Sequence, residues 1–219
     1  MCGRYALNTT ATELIEHFQL LSCPEFGLRY NIAPASQIPV IRFKPNTGRV
    51  GQLVKLGLVP SWAKEPASKL NNARGETVAE KPSFKTSFAR HRCLIPASGF
   101  YEWKAEAGKK QPYYIHPTNR LFAFAGLLAA WKAPDGQTLV TTCIITTTLN
   151  EVMAPIHERM PVILEVEEYD AWLDPSNQDI EALKQIIRPC SADGMAAYPV
   201  KPLRSDGPEC VEPVREEKK

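Results

Sequence analysis

The chain has 219 residues, 44% hydrophobic and 23% charged, with a formal net charge of +2. This is an ordinary composition for a soluble globular protein, long enough for one well-buried core and short for two ordinary domains. The near-neutral total does not announce a nucleic-acid binder, and the longest apolar run, Leu121 to Trp131, is too short to cross a bilayer.

In chain order, the start MCGRYALNTT carries Arg4 early and has no apolar stretch before Thr9, unlike a secretory signal. The expected location is therefore the cytoplasm, a reducing compartment. Thr10-Ala11-Thr12-Glu13 has the form of a capping box and introduces a short helix with Leu14, Ile15 and Phe18 on one face. Ile38 to Phe43 and Val50 to Val59 read as strands joined by a turn at Pro45-Asn46-Thr47-Gly48. Arg92 to Ile95, Phe100 to Lys104 and Pro112 to Ile115 read as short strands, with a turn at Gly108. Leu121 to Trp131 and Thr138 to Thr148 are longer strands flanking the turn Ala133-Pro134-Asp135-Gly136. Pro161 to Leu164 is another short strand. Helices follow over Glu167 to Leu173 and Asn177 to Ile187, then a last strand over Met195 to Val200. From about Ser205 the chain is polar and is expected to be loose. Strands outnumber helices and do not alternate with them, which predicts an α+β single domain. Its sheet is expected to be mainly antiparallel or mixed and barrel-like, with flanking helices.

Charge is unevenly spread. Between Trp62 and Arg92, the cations Lys64, Lys69, Arg74, Lys81, Lys85, Arg90 and Arg92 outnumber Glu65, Glu76 and Glu80. Interleaved with Trp62, Phe84 and Phe88, this stripe suits a single-stranded nucleic-acid groove, where cations follow phosphates and rings meet bases. A solvated basic face has the same composition.

None of the six cysteines forms a CxxC pair, and no His stands at metal-ligand spacing from a Cys, so no metal and no cofactor is expected. Cys93 and Cys143 lie in apolar strand-like runs and read as small core residues. Cys2 is distinguished by position. Once Met1 is removed, it carries a free α-amine and a thiol on adjacent carbons. Such an aminothiol captures aldehydes, because the amine forms a Schiff base and the thiol then closes a five-membered thiazolidine ring.

Three further groups fit that chemistry. Asn72 can hold an amine or a sugar oxygen, with Arg74 beside it as a phosphate ligand. Glu102, between Tyr101 and Trp103 in a strand, points away from both and can shuttle protons. His157, in Pro155-Ile156-His157-Glu158-Arg159, can protonate a sugar oxygen near neutral pH. Taken singly, a turn Asn with a surface Arg, a solvent-facing Glu and a hydrogen-bonded loop His explain these residues as well.

Together these segments resemble the SRAP family, the SOS response-associated peptidases. The likeness covers nearly the whole chain: MCGRY, RYNIAP at 29–34, Pro60-Ser61-Trp62, NNARGET at 71–77, the KPSF run, CLIPASGFYEWK, FAFAGL, IITTT and IHERMP. The resemblance implies the SRAP fold over 1–204, with 205–219 as a polar C-terminal tail. It implies binding of single-stranded DNA containing abasic sites, self-peptidase removal of Met1, and a thiazolidine crosslink through Cys2 that shields the lesion in the DNA damage response. By residue match, Asn72 positions the Cys2 amine and the sugar. Glu102 is the acid/base for imine chemistry and crosslink reversal, and His157 assists ring opening. Arg4, Arg74 and Arg159 hold phosphates, Trp62 packs beside the DNA, and Thr146 lies near the reactive sugar. Lys81 and Lys85 of the basic stripe join the expected DNA contacts. A monomer is expected, with no membrane partner, at the nucleoid when DNA is bound. The sequence departs from the family at Asn71, where an apolar residue is expected, and lacks the long C-terminal extension of vertebrate members.

Two other readings remain open on the residues. One is a cysteine or N-terminal-nucleophile hydrolase acting on peptides or amides, with His157 or the free amine as base. The other is a non-covalent single-stranded DNA-binding module built on the basic stripe.

Overall fold

The computed structural model describes residues 3–66, 70–106, 108–118 and 121–214. Its strands are β1 (Arg4–Leu7), β2 (Arg29–Ile32), β3 (Gln37–Lys44), β4 (Gly48–Leu56), β5 (Asn72–Arg74), β6 (Arg92–Ala97), β7 (Gly99–Glu106), β8 (Lys109–Pro117), β9 (Phe122–Lys132), β10 (Thr138–Thr148), β11 (Arg159–Pro161), β12 (Ile163–Leu164) and β13 (Met195–Pro199). The helices are α1 (Ala11–Phe18), α2 (Lys85–Arg90), α3 (Tyr169–Leu173) and α4 (Ile180–Ile186).

One sheet runs β13-β8-β7-β1-β2 and is antiparallel throughout. The other runs β11-β10-β4-β3-β6-β9-β12, and β10 also pairs with β9, which closes β10, β4, β3, β6 and β9 into a barrel. Only the β10–β4 and β10–β5 ladders are parallel among the described pairings. Closure removes the edges of those five strands from solvent. Aromatic rings join the two sheets: Tyr5 of β1 and Phe100 of β7 meet Phe124 of β9 at centroid distances of 5.7 and 6.1 Å. The expected barrel-like α+β domain is the one observed.

Local chemistry explains most element boundaries. The Thr10–Glu13 capping box is formed as expected, and Leu14 and Phe18 are buried. The β3–β4 and β9–β10 hairpins turn where expected, with Gly48 and Gly136 at positive φ. The strand expected over 50–59 stops at Leu56, because Gly57 takes φ +121 and sends its N–H to the Thr142 carbonyl. The strand expected over 161–164 is divided between partners. Val162 donates to Ile145 of β10 and accepts from Ala125 of β9, so β11 lies on one strand and β12 on the other. The helix expected from Asn177 starts at Ile180, since Asp179 caps it by accepting from the N–H groups of Glu181 and Ala182.

Residues 205–214 differ from the loose tail expected from about Ser205, whose last part, 215–219, lies outside the described residues. Asp206 accepts from the N–H groups of Tyr30 and Asn31 at 2.7 Å and pairs with Arg29, so it ties the segment to β2. Cys210 is buried in a second apolar cluster with Ala6, Tyr101, Tyr114 and Val200, and Val214 donates to Pro199. Enough apolar surface is covered here to order a segment whose composition is polar.

Arg92 is the structural outlier of the basic stripe. It is 4% exposed, and its guanidinium donates to the carbonyls of Phe88, Ala89, Trp172, Asp174 and Asn177. It therefore joins the end of α2 to the end of α3. Removing it strands several buried acceptors, so Arg92→Met is expected to lower stability by about 3 kcal/mol. Urea unfolding measures this, and a loss under about 1 kcal/mol would show that the carbonyls find other donors.

Candidate active site

The short β5 carries the NNARGET residues onto the barrel. It lies parallel to β10 with Asn72, Ala73 and Arg74 beside Ile144, Ile145 and Thr146. Ala73 is fully buried, so Asn72 and Arg74 face the other way. The Asn71 carbonyl accepts from Ile144 N–H at 3.0 Å, so the polar residue at this position still serves the ladder. Gly75 is required by close approach: a Cβ there would lie 2.3 Å from Ile187 and 3.2 Å from the Thr146 carbonyl. The Asn72 side-chain oxygen is buried and has no hydrogen-bond partner among the described residues, an arrangement that costs stability unless a ligand completes it.

Arg159 on β11 is held from two sides. Its Nη1 and Nη2 meet the Glu76 carboxylate at 2.7 and 3.0 Å, while Nη2 also donates to the Thr146 carbonyl at 2.9 Å and to Thr146 Oγ1 at 3.3 Å. The Arg159 fork keeps the Glu76 carboxyl below the usual carboxylate range. Thr146 is fully buried, and its hydroxyl donates to the Ala73 carbonyl at 3.4 Å. Arg159, Thr146 and β5 therefore form one connected unit.

His157 is presented by a turn that Asn150 organises, accepting from Met153 and Ala154 N–H. Arg159 N–H donates to His157 Nδ1 at 3.0 Å. Nδ1 also lies 3.2 Å from the Arg159 carbonyl, to which a protonated Nδ1 donates, so the proton placement follows the charge state of the ring, and the other ring nitrogen, Nε2, faces Glu102. That nitrogen lies 4.0 Å from Glu102 Oε2.

Glu102 is 2% exposed, which sets it apart from a solvent-facing strand Glu. Burial pushes its carboxyl above the usual range, and His157 opposes the shift. Glu102, His157, Trp103 and Lys110 line an open cavity of about 440 Å³. The first described strand enters beside it, since Arg4 of β1 pairs with Tyr101, the neighbour of Glu102. Arg4 donates to Asn31 at 2.9 Å.

The structure thus links Glu102, His157, Arg159, Thr146 and β5 by successive contacts. Cys2 lies outside the described residues. Trp62 is 65% exposed on the 60–63 turn and lines a different cavity, while Lys81 and Lys85 are exposed near the start of α2. Trp103, Lys110 and Glu76 were missed as site residues. The signal for Trp103 and Glu76 was their place inside GFYEWK and NNARGET. Lys110 depends on the β7–β8 register, which a sequence does not print. Among the described cysteines, burial raises the thiols of Cys23, Cys93 (to about 12), Cys143 and Cys190 (to about 11), so these four favour the unreactive protonated form. No group of three or more His, Cys, Asp or Glu side chains able to hold a metal occurs among the described residues.

A family model described as SOS response associated peptidase (SRAP) matches residues 1–203. A Bacillus subtilis protein named abasic site processing protein YoqW is 43% identical over 97% of this chain and 99% of its own length. The chicken protein named abasic site processing protein HMCES is 34% identical, and the match covers 84% of this chain and 66% of that protein. A crystal structure of a protein from Bacteroides thetaiotaomicron superposes with a TM-score of 0.90 at 27% identity, covering 98% of this chain and 100% of the other.

Proposed function

The chain belongs to the SOS response associated peptidase family, and we propose that it processes abasic sites in single-stranded DNA by covalent capture through Cys2 once Met1 is removed. The observation that carries this reading is the buried Glu102 carboxylate, its Oε2 4.0 Å from His157 Nε2, on the wall of an open cavity. Relatives named for abasic site processing point to the same substrate.

Each residue then has a task with its protons accounted for. In its charged form His157 delivers its Nε2 proton to the sugar ring oxygen, while the anomeric hydroxyl gives its proton to water, from which the imidazole is recharged; this opens the hemiacetal to an aldehyde. The Cys2 amine adds to C1′. Glu102 takes a proton from that nitrogen and returns it to the new hydroxyl, which leaves as water, so an imine remains. A carboxyl with a raised pKa suits both halves of this exchange. The Cys2 sulfur then adds to C1′ while its proton goes to nitrogen, closing the thiazolidine. Asn72 offers its buried oxygen to the amine, and Arg4, Arg74 and Arg159 face the phosphates, with Thr146 beside the sugar. Trp62, Lys81 and Lys85 extend the contact along the strand.

Intact-mass measurement tests this in one experiment. The expected species lacks Met1 and gains the mass of an abasic oligonucleotide less one water. Turnover of an added peptide with no DNA adduct would overturn the reading in favour of a hydrolase. The His157 role has its own check. His157→Ala is expected to slow adduct formation by about 10²-fold on a natural, mostly closed abasic sugar, and much less on an acyclic aldehyde of similar length. Equal slowing on both would remove His157 from ring opening.

A further inference from the structure

A second cavity, of about 370 Å³, opens between the 60–63 turn, α2 and strands β3, β4, β9 and β10. Its volume falls in the range of small-ligand pockets, and neither Glu102 nor His157 lines it. Trp62 and Phe43 present two rings that are 65% and 40% exposed. The Trp62 turn is anchored, because Trp131 Nε1 donates to the Ala63 carbonyl at 2.7 Å and Ala63 N–H closes on Pro60 at 3.0 Å. The exposed indole therefore projects from an anchored turn at the cavity rim.

The polar lining is one-sided. Arg42 has a buried Nε with no hydrogen-bond partner among the described residues, and Arg90 adds a second cation. No Asp or Glu stands among the described lining residues. His91 is held below its ordinary pKa by burial and by Arg90 and Arg92, so near neutral pH its ring offers one donor and one acceptor, as the Gln52 amide does. Rings for stacking, cations for phosphate and paired donor–acceptor groups for a base edge together describe a nucleotide site.

We propose that this cavity holds a nucleotide of the bound single strand, several positions from the lesion, with its base against Trp62 and its phosphate on Arg42 and Arg90. The inference rests on the DNA reading above. Two observations favour a strand over a free nucleotide. The lining residues Pro82 and Thr86 are chain neighbours of the exposed Lys81 and Lys85, which continue the cationic path. Val140 of the lining also precedes Thr146 by six positions on β10, which sets the cavity roughly 20 Å from the reactive unit along the strand axis.

The test compares the full chain with Arg42→Ala/Arg90→Ala and with Thr86→Trp, which fills the cavity without touching charge. Fluorescence anisotropy is read on lesion-free single strands of about 4 and about 16 nucleotides, the span of known single-strand site sizes. The long strand is expected to bind about tenfold more weakly to both variants, and the short strand equally well to all three proteins. The double variant should also lose roughly 0.7–1.4 from its salt slope on the long strand. Unchanged binding of the long strand, or equal loss on both lengths, overturns the proposal. So does binding of free dAMP as tightly as the long strand. Adduct formation on a short abasic strand is followed in parallel. If the unaltered protein forms none, covalent capture fails while the length-dependent binding result still decides this site.

Discussion

Cys2→Ala is expected to abolish the heat-stable DNA adduct while leaving a Schiff base that borohydride traps. Alanine is small enough for Met1 still to be removed, so the α-amine survives and only the thiol is lost. The amine alone forms an imine with the abasic aldehyde, since its reference pKa of about 7.7–8.0 leaves a nucleophilic fraction near neutral pH. An imine is hydrolysed on heating. The thiazolidine persists because sulfur attacks from the adjacent carbon, and oriented intramolecular closure has an effective molarity of about 10⁵–10⁸ M. Adduct surviving a denaturing gel should therefore fall by at least about 10²-fold, while reductively trapped adduct stays within a fewfold of the unaltered protein. A residue added ahead of Cys2 should eliminate the heat-stable adduct, because the Cys2 nitrogen is then an amide and the thiol no longer has a free amine on the adjacent carbon. Heat-stable adduct at full yield from Cys2→Ala would transfer the chemistry to another residue.

Much of the fold was legible because its signals are local. Thr10 and Glu13 specify the start of α1 within one turn, and Gly48 and Gly136 mark turns beside runs of β-branched residues. What escaped was short and non-local. β1, β2 and β5 have three or four residues each, too few for a period to register, and they exist because distant strands pair with them. Val162 shows the same limit, since nothing in 161–164 says that the chain changes partners there. The packed segment after Ser205 depends on Asp206 reaching the N–H groups of Tyr30 and Asn31. At the site, residue types named Glu102 and His157, but their 4.0 Å approach depends on the Asn150 turn meeting β7. Arg42 gave no signal, because its lack of a partner is a property of packing.

Glu102→Gln is expected to separate activity from stability. The substitution keeps the shape and removes the charge, so loss of proton shuttling should slow the chemistry by about 10²–10⁴-fold. Reversal should suffer more than formation. Formation can proceed on the intrinsic nucleophilicity of the amine, whereas reopening needs a proton delivered to nitrogen as the sulfur leaves and water activated to attack the imine. Stability should move the other way. Burial raises the Glu102 carboxyl above its unfolded value of about 4.3, so between those two values the folded state binds more protons than the unfolded state. Stability from this group therefore falls as pH rises through that window. Gln carries no such penalty, so the variant should unfold at a higher temperature than the unaltered protein at pH 7. For a chain of this size, about 2–4 °C corresponds to each kcal/mol recovered. Below about pH 4 the carboxyl is protonated in both states and the two proteins should converge. Measuring melting temperature and adduct reversal for both proteins across this range decides the point. If the Gln variant melts lower at pH 7 while reversing its adduct at the normal rate, Glu102 stabilises the barrel through its partners and has no part in the proton transfers.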